Sequence, residues 1–256
     1  MMGGAVRNWF LREIVDPGKL RLFCFFVAFI LAFLFIRVSV RMIRAGVSWW
    51  PGNISPGGTH IHHVVFGLVF MCLGGIGGLA VTDSRSVTAA LLAMLFGAGT
   101  ALVLDEFALI LRLQDVYWTE DGRLSVDAVF VAVALCGLAL LGVSPFEVGQ
   151  AFTADQSGRL LSRDEVVLVI GTNILFAALS LIKGKVWTGL LGIYLTPLAL
   201  IGAIRLARPG SPWARWRYRS KPYKLARAQW RDRRIREPVQ RVKRAVQDFL
   251  AGRPSA

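Results

Sequence analysis

The apolar residues of this chain fall in unbroken blocks, each long enough to cross a lipid bilayer, and this constrains the fold more than any motif. A crossing α-helix needs about 20 mostly apolar residues at 1.5 Å rise each. Such blocks occupy 20–40 (continuing to 44), 62–81, 87–111, 126–143, 166–182 and 186–204. The chain is 55% hydrophobic and its mean hydropathy is +0.54. A membrane-spanning backbone must satisfy its polar groups internally, as a helix or a closed barrel, and the short alternating segments of a barrel are absent. The expected fold is all-α: a polytopic transmembrane bundle of about six crossing helices with a basic amphipathic C-terminal tail. Residues 1–19 read as a short cytoplasmic segment, 20–204 as the transmembrane domain, and 205–256 as a cytoplasmic, membrane-surface tail. The first block leads into Arg37, Arg41 and Arg44 instead of a small-residue cleavage site, so it reads as a retained helix.

Charge is distributed unevenly. The formal net charge is +14, and the tail from Arg205 onwards supplies 16 of the 30 Lys/Arg residues against Asp232, Glu237 and Asp248. Lys and Arg accumulate on the cytoplasmic side of membrane proteins. With six crossings and both termini inside, 23 basic residues face the cytoplasm and 7 face out. This predicts a multi-pass protein of the plasma (inner) membrane with cytoplasmic termini, the tail alone deciding the sidedness. Cys24, Cys72 and Cys136 each sit in an apolar block and form no Cys-x-x-Cys pair, so they read as buried hydrophobes.

Two polar clusters interrupt this pattern. The three histidines, His60, His62 and His63, stand at the mouth of the second block. Asp105 and Glu106 close the third. Counting from the turn 83–86, His63 and Glu106 each lie 21 residues away, or roughly 31 Å along their helices, about one hydrocarbon thickness. The clusters should therefore meet at one depth, near the outer face, with Asp127 opening the fourth helix beside them. Ionisable groups at such depths are costly and usually functional. His60 and His63, at i and i+3, share a face if the helix begins at Thr59, a plausible N-cap; His62 joins them if the helix start is irregular. Imidazole with carboxylate suits a divalent metal, zinc first, with iron or manganese as alternatives. The candidate ligands are His60, His62, His63, Asp105 and Glu106, with Glu106 or Asp105 as catalytic base. The plainer reading is a polar helix mouth in which Asp105 pairs with Arg112.

Arg37, Arg41 and Arg44 lie on one helical face and, with Asp127, could bind substrate or an anion; the alternative is snorkelling to lipid phosphates. Gly74 and Gly78 have the small-xxx-small spacing that lets helices approach closely. Trp49, Trp50, Tyr117 and Trp118 read as interfacial anchors. In the tail, Val239, Val242, Val246 and Phe249 fall along one face, the pattern of a helix on an anionic membrane surface. The partners implied are the bilayer, anionic lipid head groups and, in a homo-oligomer, a second copy; nucleic acid takes a minor share because no recognition fold accompanies the basic residues.

Taken together, His-Ile-His-His at 60–63, Leu-Asp-Glu-Phe-Ala-Leu at 104–109, Asp-Val-Tyr-Trp at 115–118 and Arg-Pro-Gly-Ser-Pro-Trp-Ala-Arg at 208–215 resemble a group of uncharacterised actinobacterial integral membrane proteins. The resemblance spans most of the chain and implies a multi-pass membrane protein without an assigned activity. The histidines also match one histidine box of membrane fatty-acid hydroxylases and desaturases. Those enzymes need several boxes, and this chain has no histidine outside the cluster. The expected function is a metal-dependent membrane enzyme, most simply a hydrolase of lipid or lipid-linked substrates. The alternatives are a metal- or proton-binding transport protein and a non-catalytic scaffold.

Overall fold

Long apolar runs without proline favour helix because each backbone group is bonded within the segment. The computed structural model of the protein describes residues 2–51, 61–113, 123–143 and 162–251. In chain order the helices are α1 (Met2–Phe10), α2 (Leu20–Arg44), α3 (His63–Ala80), α4 (Val87–Asp105), α5 (Phe107–Arg112), α6 (Arg123–Leu140), α7 (Arg163–Ile182), α8 (Val186–Gly192), α9 (Thr196–Ile204), α10 (Pro212–Arg217), α11 (Pro222–Arg231) and α12 (Glu237–Ala251). No strand occurs among the described residues. Among the described residues five helices, α2, α3, α4, α6 and α7, are long and apolar enough to cross a membrane. Their large apolar side chains, such as Leu68, Leu73, Ile76, Leu79 and Leu168, point outward, as suits a bundle solvated by lipid. His60, Thr59, Tyr117 and Trp118 lie outside the described residues.

The chain divides into two units, Met1–Cys136 with Val246–Ala256, and Gly137–Ala245. In the first, α4 packs against both α2 and α3. A Cβ on Gly74 would stand 2.5 Å from the Phe96 nitrogen, and one on Gly99 would stand 2.6 Å from the Met71 nitrogen. Glycine at these positions thus sets the close approach of α3 and α4. Gly78, by contrast, faces open space, so the close approach uses Gly74 but not the expected Gly74–Gly78 pair. Phe29 and Phe33 of α2, Ala101 of α4 and Val129 of α6 form the buried core.

The third apolar block does not run through as one helix. It ends at Asp105; Glu106 leaves helical geometry at φ −105°, ψ 20°, and α5 follows. The Ala108 amide exposed by this break donates to Ser125 Oγ of α6 at 3.0 Å.

In the second unit the sixth block departs further from expectation. It folds as α8, 7 residues, and α9, 9 residues, or roughly 10 and 14 Å of helix against a hydrocarbon core of about 30 Å. Neither helix can cross. They form a returning hairpin against α7: Asn173, fully buried within α7, bonds Thr196 at the start of α9. At the other end Lys183 Nζ donates to the Ala203 carbonyl, and Lys185 Nζ to those of Gly202 (2.6 Å) and Arg205 (2.8 Å). The last carbonyls of α9 lack helical partners, so these two lysines cap it and tie it to the end of α7. Pro197 sits in the first turn of α9, where its missing N–H costs nothing.

The tail is folded as well. Ala207, Ala214, Tyr218 and Ala228 make a small core, Tyr218 Oη accepts from the Ala207 amide at 3.0 Å, and Arg231 donates to the Leu206 carbonyl at 2.7 Å. Along α12, Val239, Val242, Val246 and Phe249 remain exposed.

Candidate functional site

The site forms where the first turn of α3 meets the end of α4. Helix α3 begins at His63, with His62 in extended geometry (φ −70°, ψ 142°) just before it. The irregular start turns both side chains toward the acids. His62 Nδ1 lies 2.8 Å from Glu106 Oε1. His63 Nε2 lies at hydrogen-bonding distance from Asp105 Oδ2, 3.1 Å, and its Nδ1 lies 3.4 Å from Glu106 Oε1. Glu106 Oε2 accepts the Val64 amide at 2.7 Å. That amide belongs to the first turn of α3, which has no helical acceptor and lies at the positive end of the helix dipole. The carboxylate therefore caps a neighbouring helix, which accounts for the turn of the chain out of α4 at Glu106.

The second acid is anchored from another side. Arg37 Nη2 of α2 lies 2.5 Å from Asp105 Oδ1, with the two side chains 6% and 0% exposed. The Arg37 guanidinium also lies 5.3 Å from the Phe33 ring centroid. A buried arginine on an apolar helix needs a compensating partner, and Asp105 supplies it. The sequence groups Arg37 with Arg41 and Arg44 as an anion-binding face and offers Arg112 as a partner of Asp105, whereas the structure sets Arg37 against Asp105. The depth of Arg37 within α2, at the level of the acids, was the signal that could have identified the pair.

The other candidates have partners of their own. Arg41 stacks over Phe249 at 5.5 Å, and Asp127 accepts from Gln247 Nε2 at 2.8 Å. Arg123 pairs with Asp248 at 2.7 Å. Arg44 ends α2, and His60 lies outside the described residues.

The hydrogen-bonding capacity of His63 governs what this arrangement can do. A neutral imidazole has one N–H donor and one lone pair. Both ring nitrogens of His63 face carboxylate oxygens, so one nitrogen meets an acceptor whichever neutral tautomer is present. A divalent ion or a bound proton would offset the two carboxylates gathered around this ring. His62 and His63 are 27% and 20% exposed at their side chains, whereas Glu106 is 3% and Asp105 0% exposed. The histidines are thus the accessible rim of a buried acidic floor. Among the described residues, no three His, Cys, Asp or Glu side chains already form a metal cage.

No protein-family model matches the chain, and neither does any curated protein or solved structure.

Proposed function

We propose that the cluster of His62, His63, Asp105 and Glu106 is the centre of a metal-dependent membrane enzyme, most simply a hydrolase of lipid or lipid-linked substrates. The observation that carries this reading is the position of His63 between two carboxylates, 3.1 Å from one and 3.4 Å from the other. His62, His63 and Glu106 would hold a divalent ion, with His60 as a further candidate from the sequence, and such an ion would offset the charge of the acids. Asp105 orients the His63 ring, and Arg37 holds Asp105; a carboxylate behind a ligating histidine is a common supporting arrangement. Zinc, iron or manganese at such a site lowers the pKa of a coordinated water and provides a nucleophile.

A second reading fills the same position with a proton. A proton bound within the cluster of His62, His63, Asp105 and Glu106 would offset the charge of the two acids in the same way. It describes a proton-binding centre of the kind a transport protein uses. Thr100, however, bonds back to its own helix at Phe96 and offers no onward path.

Metal analysis of the purified protein separates the two. One equivalent of metal in the wild type, lost in His62→Ala/His63→Ala and in Glu106→Gln, supports the enzyme reading. Wild-type protein prepared without chelators and free of metal refutes it; doubly protonated His63 in nitrogen NMR then supports the proton reading.

This reading also moves the centre to the cytoplasmic face of the cell membrane. Five crossings put residues 1–19 and the basic tail on opposite faces, and the tail on the same face as the histidines. Gln247, Asp248 and Phe249 contact Asp127, Arg123 and Arg41 at that same end of the bundle. That face then carries 23 of the 30 Lys/Arg residues, which the positive-inside rule assigns to the cytoplasm. The expectation of an outward-facing site beside cytoplasmic termini depended on a sixth crossing that α8 and α9 do not make.

A further inference from the structure

The second unit holds a cavity of about 250 Å³ at the base of the α8–α9 hairpin, lined by Lys185, Arg205, Arg208, Arg231 and Arg236, with Asp232 as its carboxylate. We infer that this cavity binds a phosphate group, the chemistry shared by phosphomonoester lipid head groups and soluble phosphate esters. This inference is independent of the histidine site and goes beyond a generally basic, lipid-facing tail.

Three observations support it. The cations come from two parts of the chain, Lys185, Arg205 and Arg208 at the hairpin base and Arg231 and Arg236 at and after the end of α11, so folding brings them together around one space. Asp232 is already held by Arg236 at 3.2 Å, leaving the lining strongly positive. Arginine forks match phosphate oxygens in pairs, and a phosphomonoester carries close to two negative charges and three acceptor oxygens. Trp187, Ile235 and Val239 also line the space and suit the carbon portion of an ester.

Mutual repulsion within the cluster is evident at Lys185. Burial first, then Lys183, Arg231, Arg205 and Arg208, lower its pKa to about 8. Burial, followed by Arg236, likewise lowers that of Arg208. A bound anion relieves this repulsion, so the cavity favours a multivalent one.

The test uses the purified full-length chain in neutral detergent. Native mass spectrometry measures binding of phosphatidic acid, phosphatidylglycerol and phosphatidylcholine; calorimetry measures binding of inorganic phosphate and glycerol 3-phosphate. Wild type should bind one phosphatidic acid in preference to phosphatidylcholine if the source is a lipid, or one glycerol 3-phosphate or phosphate if it is soluble. Arg205→Gln/Arg208→Gln should weaken that binding roughly tenfold or more. Arg215→Gln/Arg219→Gln removes the same charge from exposed positions outside the cavity and should leave binding within about twofold. Single variants Arg205→Gln and Arg236→Gln, each with an unchanged melting temperature, guard against loss of fold and should each weaken binding measurably. Equal weakening by both double variants, or no phosphate-dependent binding in either arm, overturns the inference.

Discussion

Replacing Arg37 with methionine removes the cation of a buried ion pair while keeping a long, flexible side chain in its place. Arg37 and Asp105 are 6% and 0% exposed and 2.5 Å apart, so solvent cannot take over for the missing guanidinium. Removing one member of such a pair leaves an uncompensated buried charge and costs about 3–5 kcal/mol. At roughly 2–4 °C per kcal/mol for a chain of this size, Arg37→Met should lower the melting temperature in detergent by roughly 6–20 °C. The double variant Arg37→Met/Asp105→Leu removes both charges and should recover most of that loss, because replacing a whole buried pair with apolar groups is often nearly neutral. Recovery should be incomplete, since Asp105 also receives His63. A double-mutant cycle across wild type, both singles and the double isolates the coupling. Additive single effects, or a loss of less than about 1 kcal/mol for Arg37→Met, would refute the account of Asp105 as an anchored, buried carboxylate.

Three further outcomes follow from the fold. Gly99→Val should destabilise the bundle by roughly 1–3 kcal/mol or more, because its Cβ would meet the Met71 nitrogen at 2.6 Å; Gly78→Ala, with open space, should be neutral or gain up to about 1 kcal/mol. Chemical denaturation compares the two. For Lys185 the folded pKa of about 8 lies below the ordinary lysine value of 10.5, so charging it opposes folding in full below about pH 8. This cost fades as pH rises from about 8 to 10.5; wild type should therefore gain stability relative to Lys185→Met over that window, and parallel pH profiles would contradict this. Reporter fusions at the two ends of the chain should read opposite faces of the membrane, with the C-terminal reporter cytoplasmic; matching signals would restore the six-crossing arrangement.

Most of the bundle was legible because block length and lipid thickness are commensurate. Blocks 20–44, 62–81 and 126–143 needed only apolar length to be recognised as α2, α3 and α6. The meeting of His63 with the acids followed from equal counts either side of the turn 83–86. The irregular parts were harder to read for definite reasons. Residues 186–204 are apolar enough for a crossing helix, and hydropathy does not register the break between Gly192 and Thr196; Pro197 was the available signal. The end of α4 was obscured because Glu106 is taken out of the helix by the Val64 amide, a contact from a distant segment. The role of His62 depended on the extended geometry before α3, which apolar periodicity does not encode.

The Arg37–Asp105 pair also bears on how the chain enters the membrane. Asp105 is synthesised about 70 residues after Arg37, which at about 5–20 residues per second leaves roughly 4–14 s before the counter-ion exists. During that interval α2 must be accepted into lipid with its arginine on board, a burden of up to about 3 kcal/mol for a charge at a helix centre. The high hydropathy of α2, 2.6 over its best window, outweighs that burden, and Arg37 near the end of the helix can reach toward the surface. The ion pair is therefore an assembly step as much as a static contact: α2 inserts first, and α4 locks it in place when the aspartate arrives.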